Sequence, residues 1–152
     1  MSSLDYPDAP LARAIESNAE RYKRLATQLP DSIVGLQNWL SCLPGNINEK
    51  VSAMPSDAKA RRLMLKVVSA AGKRQVHYCY INELQRGTDP TSGWSPLTNA
   101  SVDVKTQAIA LFPALLRRIL MRQRIDVQRL EQATEAFDHF AEEFGISERQ
   151  DA

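Results

Sequence analysis

The sequence predicts an all-α fold, a compact bundle of about six or seven helices. Three observations point there. Apolar residues recur at helical spacing along most of the chain. Pro30, Pro44-Gly45 and Pro55 cut that pattern into helix-length pieces. One stretch alone, VHYCYI at 76–81, has the β-branched and aromatic composition of a strand. A lone strand leaves its backbone groups unpaired, so residues 73–86 read as helix.

The elements follow in order. Leu11, Ile15, Ala19, Tyr22, Leu25 and Leu29 form one side of an amphipathic helix that Pro30 ends. Asp31 is placed to cap a second helix carrying Ile33, Leu36, Leu40 and Leu43, and Pro44-Gly45 closes it. Residues 46–54 read as a short helix capped by Asn46 or Asn48. Ser56 and Asp57 open the next one, with Ala60, Leu63, Met64, Val67 and Ala71 as its buried stripe and Gly72 near its end. Residues 87–99, GTDPTSGWSPLTN, form the longest loop.

Residues 101–124 read as the central and most buried helix, kinked or split at Pro113, because Ile109, Leu111, Phe112, Leu115, Leu116, Ile119 and Leu120 cover nearly every side. A final helix carries Val127, Leu130, Phe137, Phe140, Ala141 and Phe144 on one side and acids on the other, with Gly145 as its C-cap. The whole of 1–152 reads as one domain with flexible ends at 1–9 and 146–152.

Hydrophobic residues make up 43% of the chain and charged residues 24%, as in ordinary globular proteins. No apolar run approaches a membrane span, and the opening MSSLDYPDAP lacks the features of a secretory signal. A cytoplasmic protein with Cys42 and Cys79 as free thiols is the expectation.

The net charge of +1 hides an uneven distribution. Residues 56–86 hold seven basic side chains against two acidic, and residues 99–129 hold six against two. From 130 onward one basic residue stands against seven acidic. A basic middle and an acidic tail speak of partners rather than of fold.

Read as a helix, residues 56–74 place Lys59, Arg62, Lys66 and Lys73 on one stripe beside the apolar one. With Trp94 in the long loop, that stripe is the candidate partner-binding surface; Trp94 itself either anchors the loop or projects as a contact residue. Lys59, Arg62 and Lys66 with Arg118, Arg122 and Arg129 form the alternative, a nucleic-acid footprint on phosphates. The acids of the final helix are expected to neutralise the arginines of the preceding helix, packed antiparallel beside it.

Catalytic and metal signatures are absent from the sequence. His77 near Cys79 is a pair without an orienting third group. Glu135, His139 and Glu143 share a helical face but make a poor zinc set. No Gly-rich phosphate loop or nucleophile elbow occurs. The sequence therefore leads to a non-enzymatic interaction or regulatory protein, without cofactor or metal, that acts on another protein. A homodimer is an allowed arrangement. A nucleic-acid-binding regulator comes second, and an enzyme built around His77 and Cys79 third.

Overall fold

A computed structural model of the chain describes residues 9–53, 61–82 and 93–146. Their architecture is α+β. Two long helices, α1 (Ala9–Ser41) and α2 (Val102–Phe144), pack on an antiparallel sheet. The sheet is a meander of β1 (Lys50–Ser52), β2 (Arg61–Ala70), β3 (Lys73–Asn82) and β4 (Ser95–Pro96), in that spatial order. A 3-10 turn, Leu97–Asn99, links β4 to α2.

This corrects the expected bundle of six or seven helices. The partner that VHYCYI seemed to lack is β2, whose ten residues pair with all ten of β3. Leu63, Leu65 and Val67 alternate with Arg62, Met64, Lys66 and Val68, and only the first set is fully buried. That is the period of two expected of a strand. Met64 and Val68 on the second side blur the pattern and let a period near 3.6 fit as well.

Ala71-Gly72, expected near a helix end, is the two-residue turn between β2 and β3. Both residues are left-handed, at φ 52° and 77°. Lys50–Ser52, read as part of a short helix, pairs with β2 as β1.

The helices are fewer and longer than expected. Pro30 lies inside α1 and Pro113 inside α2. Each proline costs its helix about 3 kcal/mol. In α2 the packing of Ala108 before the proline and Leu115 and Ile119 after it keeps the axis running. In α1 good helix formers precede Pro30, and Ile33, Leu36 and Leu40 grip the sheet after it. Residues 124–127 hold neither Gly nor Pro, so the expected central helix of 101–124 and the final helix are one rod. The Ser101 hydroxyl caps its start by accepting from the Val104 amide, and Gly145 ends it at φ 66°.

One core holds the assembly. Leu63, Leu65, Val67 and Val76 from the sheet meet Ile33 and Leu40 of α1 and Ala108, Leu115 and Ile119 of α2. Ile47, Val51 and Leu97 close its margins. Both helices thus lie on the same side of the sheet. Among the described residues, this core takes its buried helical members from the second half of α1 and the first half of α2; Ala141, near the end of α2, is buried apart from it.

Beside β4, which pairs with β3 only at His77 and Tyr78, α1 covers the first part of the same edge. The Val76 amide donates to Gln37 Oε1 at 2.9 Å, and the Arg74 amide to Ser41 Oγ at 2.8 Å. Two side chains one helical turn apart meet two amides one strand period apart. A sheet edge that would otherwise invite another strand is closed.

Candidate functional site: two helical arms and a basic sheet face

The unpacked halves of the helices are the most unusual surface. Beyond the core, α1 exposes Leu11, Ile15, Tyr22 and Leu25, and α2 exposes Leu120, Val127, Leu130, Phe137, Phe140 and Phe144. Leu130 is 68% exposed, Phe144 64% and Tyr22 61%. These residues repeat at helical spacing, so each arm carries a continuous apolar stripe. On α2 the rings of Phe140 and Phe144 pack against each other, tilted by 36°, with centroids 4.7 Å apart. A groove of about 620 Å³ runs between Pro44-Gly45 and the α2 residues Leu120, Arg124, Val127, Leu130 and Glu131.

Along α2 the charge divides. Arg117, Arg118, Arg122, Arg124 and Arg129 precede Leu130; Glu131, Glu135, Asp138, Glu142 and Glu143 follow it. Because this is one helix, its acids cannot fold back on its arginines as an antiparallel neighbour would, which corrects that expectation. Arg122 instead pairs locally with Asp126, at 3.4 Å and one turn away.

The second surface is the side of the sheet facing away from the helices. Arg62 and Lys66 lie on it, four residues apart in β2, and Lys73 stands opposite Ala70 on the same side. Lys50, opposite Lys66, adds a fourth positive charge. Strands β1, β2 and β3 contain no acid at all.

Trp94 folds over this face. The Lys66 Nζ sits 4.5 Å from the centroid of its ring, a cation–π contact. Its indole Nε1 is buried and has no hydrogen-bond partner among the described residues. Arg62, Lys66, Lys73 and Trp94 therefore share one surface, through strand pairing rather than a helical stripe. Lys59 lies outside the described residues. Arg118, Arg122 and Arg129 belong to α2, which packs on the opposite side of the sheet, so the six residues of the phosphate footprint form two separate surfaces.

His77 and Cys79 also lie on the outer face, opposite Lys66 and Met64. Cys79 is buried there, outside the main core, and a Cβ at Gly93 would lie 4.0 Å from its own Cβ. Burial pushes the Cys79 thiol above its ordinary value, against the weaker downward pull of Lys66 and Lys50. Burial, then the charge of Lys66, lowers His77. The His77 ring contacts Gln75 Oε1 at 3.1 Å. A protonated thiol beside a ring engaged elsewhere lacks the geometry of an activated nucleophile. Cys42 is exposed and directly follows α1.

Sequence reasoning found the apolar residues of both arms but assigned them to a core. It missed Lys50, whose position on the basic face depends on β1 being a strand. Among the described residues no helix is long and apolar enough to cross a membrane. No family model, curated protein or solved structure matches the chain.

Proposed function

We propose that this chain is a non-enzymatic cytoplasmic interaction protein that docks other polypeptides along its two helical arms. The exposed apolar stripes carry this reading. Large aromatic and aliphatic side chains left in water along whole helical faces are the mark of a binding surface, where a partner removes them from solvent. Leu130 and Phe144 on α2, and Ile15 and Tyr22 on α1, are the strongest instances. The unpaired thiols of Cys42 and Cys79 support a reducing compartment. The basic face, with Trp94 over Lys66, offers a second contact surface for an acidic partner.

Co-purification from the native host tests the reading. The intact chain is expected to retain a partner that the double variant Ile15→Glu/Tyr22→Glu or the variant Leu130→Glu loses. The residues changed are exposed, so the fold is expected to survive, as circular dichroism would check. Capture that is indifferent to both variants would remove the arms from the function.

The acid-free outer face of β1, β2 and β3 favours one further reading, binding of a nucleic-acid backbone through Lys50, Arg62, Lys66 and Lys73. Contacts to phosphates predict steep weakening with salt. Titration of labelled duplex DNA and RNA at 50 and 200 mM salt measures it. No binding at the lower salt ends that reading.

A further inference from the structure

We propose that the α2 arm is covered by the α2 arm of a second copy of this chain, running antiparallel to it in a two-stranded coiled coil. The inference rests on the reading of the arms as docking surfaces and names the occupant of one of them.

Spacing comes first. From Leu116 to Phe144 the seam-forming positions advance by alternating steps of four and three: Leu116, Leu120, Gln123, Val127, Leu130, and onward through Phe137 and Ala141. That is the heptad spacing of a coiled coil, sustained over roughly four heptads. It spans about 42 Å of helix at 1.5 Å per residue. A helix packed only on its own sheet has no use for such a repeat this far beyond the core.

Layer matching comes second. In an antiparallel pair each first-type seam position faces a second-type position of the other helix. The register that sets Val127 against Leu130 also sets Leu120 against Phe137. The two polar members of the seam, Gln123 and Thr134, then meet each other rather than an apolar side chain. The arrangement is two-fold symmetric, so every layer occurs twice.

Charge decides the direction. Five arginines precede Leu130 and five acids fall between it and Gly145. A parallel pair would lay arginines on arginines and acids on acids. The antiparallel pair lays each basic half along an acidic half. In the register above, Arg124 and Glu131 of opposite copies flank the same central layers, and by symmetry this contact occurs twice. Both residues line the groove beside Pro44-Gly45, which begins at the level of Leu120. Phe137 of the second copy arrives at that level, so the groove is its seat. The antiparallel neighbour that the arginines lack within one chain is supplied by the other.

Sedimentation equilibrium of the full chain over a range of concentrations tests the proposal. The expected result is a species of twice the 17.0 kDa chain mass. The variant Leu130→Glu is expected to sediment as a monomer with an unchanged circular dichroism spectrum. Arg124→Glu and Glu131→Arg are each expected to weaken the dimer about tenfold or more, since each sets like charges together twice. Mixed in equal amounts, these two variants are expected to recover the dimer as a heterodimer; the single variants distinguish the direction, since in a parallel pair each would only exchange one like-charged contact for another and leave the dimer unweakened. A wild-type chain that stays monomeric at high micromolar concentration, or charge variants that leave the dimer untouched, would overturn the proposal. Host-partner capture is scored separately. A monomer that still captures through Leu130 overturns the second copy alone, whereas loss of both sinks the arm reading itself.

Discussion

The Arg74 side chain donates from Nη1 to the Leu40 carbonyl at 2.6 Å, joining the start of β3 to the last turn of α1. The same guanidinium reaches the Leu43 carbonyl at 2.6 Å and the Gly45 carbonyl. These oxygens lie where a helix end leaves acceptors unsatisfied, and a cation there also opposes the helix dipole. Arg74→Ala would strip the Leu43 and Gly45 carbonyls of this donor and leave the Leu40 carbonyl with the Leu43 amide alone. The expected loss is about 2 kcal/mol of unfolding free energy, the scale of charged hydrogen bonds that are partly withdrawn from water. Urea denaturation measures it, and a loss under a few tenths of a kcal/mol would contradict the role. Lysine has no planar fork, so Arg74→Lys is expected to restore only part.

Gln37 does related work on the backbone of β3. Its side-chain oxygen accepts from the Val76 amide, which is turned away from β2. Gln37→Leu keeps the bulk but leaves that amide without an acceptor, at a cost of about 1–3 kcal/mol. Hydrogen exchange at the Val76 amide is the specific readout. It should accelerate more than exchange at Leu65 or Val67, deep in β2. Equal acceleration everywhere would mean only general destabilisation.

Much of α1 and α2 was legible because period 3.6 and the cap at Gly145 are local signals. Their continuity was not. Whether Pro30 or Pro113 ends a helix depends on packing on either side, and that packing comes from a sheet distant in sequence. The sheet itself was hidden by residues such as Met64 and Lys66, which fit a helical stripe as well as a strand face. Recognising β3 required recognising β2 first, because each strand's backbone is satisfied only by the other. The surface residues Arg62, Lys66, Lys73 and Trp94 were nonetheless grouped together. In a strand, as in a helix, residues four apart share a face, so the pairing of Arg62 with Lys66 was insensitive to the error; Lys73 reaches the same face only because the Ala71-Gly72 turn sets it opposite Ala70, and Trp94 joins through its contact with Lys66.

The turn between β2 and β3 carries a correctable strain. Ala71 sits at φ 52°, a left-handed conformation that costs an L-residue with a Cβ roughly 1–2 kcal/mol. Asn tolerates this region far better, and Asn-Gly is the preferred pair for such a turn. Ala71→Asn is therefore expected to stabilise the protein by about 1 kcal/mol, with the midpoint of thermal unfolding rising accordingly. The neighbouring Gly72→Ala is expected to destabilise. Nothing lies within 4 Å of a Cβ built there, so its penalty is conformational, not steric. A stabilising Gly72→Ala would contradict the left-handed geometry.

His77 supplies the pH dependence. Its ring is partly withdrawn from water and lies opposite Lys66 on the outer sheet face, and both effects disfavour the protonated form. It should titrate below its ordinary value of 6.5, the value it regains on unfolding. Above that value the ring is neutral in both states and contributes no pH dependence. As pH falls below it, the unfolded chain takes up the proton first, so stability declines until the folded His77 is also protonated. Lys66→Met removes the charge and leaves the burial. The titration, followed through the imidazole proton resonances, should then move up toward 6.5 without reaching it. The decline in stability with falling pH should shrink with it. An unmoved titration would mean that Lys66, held over the Trp94 ring, is screened from His77 and that burial alone sets its proton affinity.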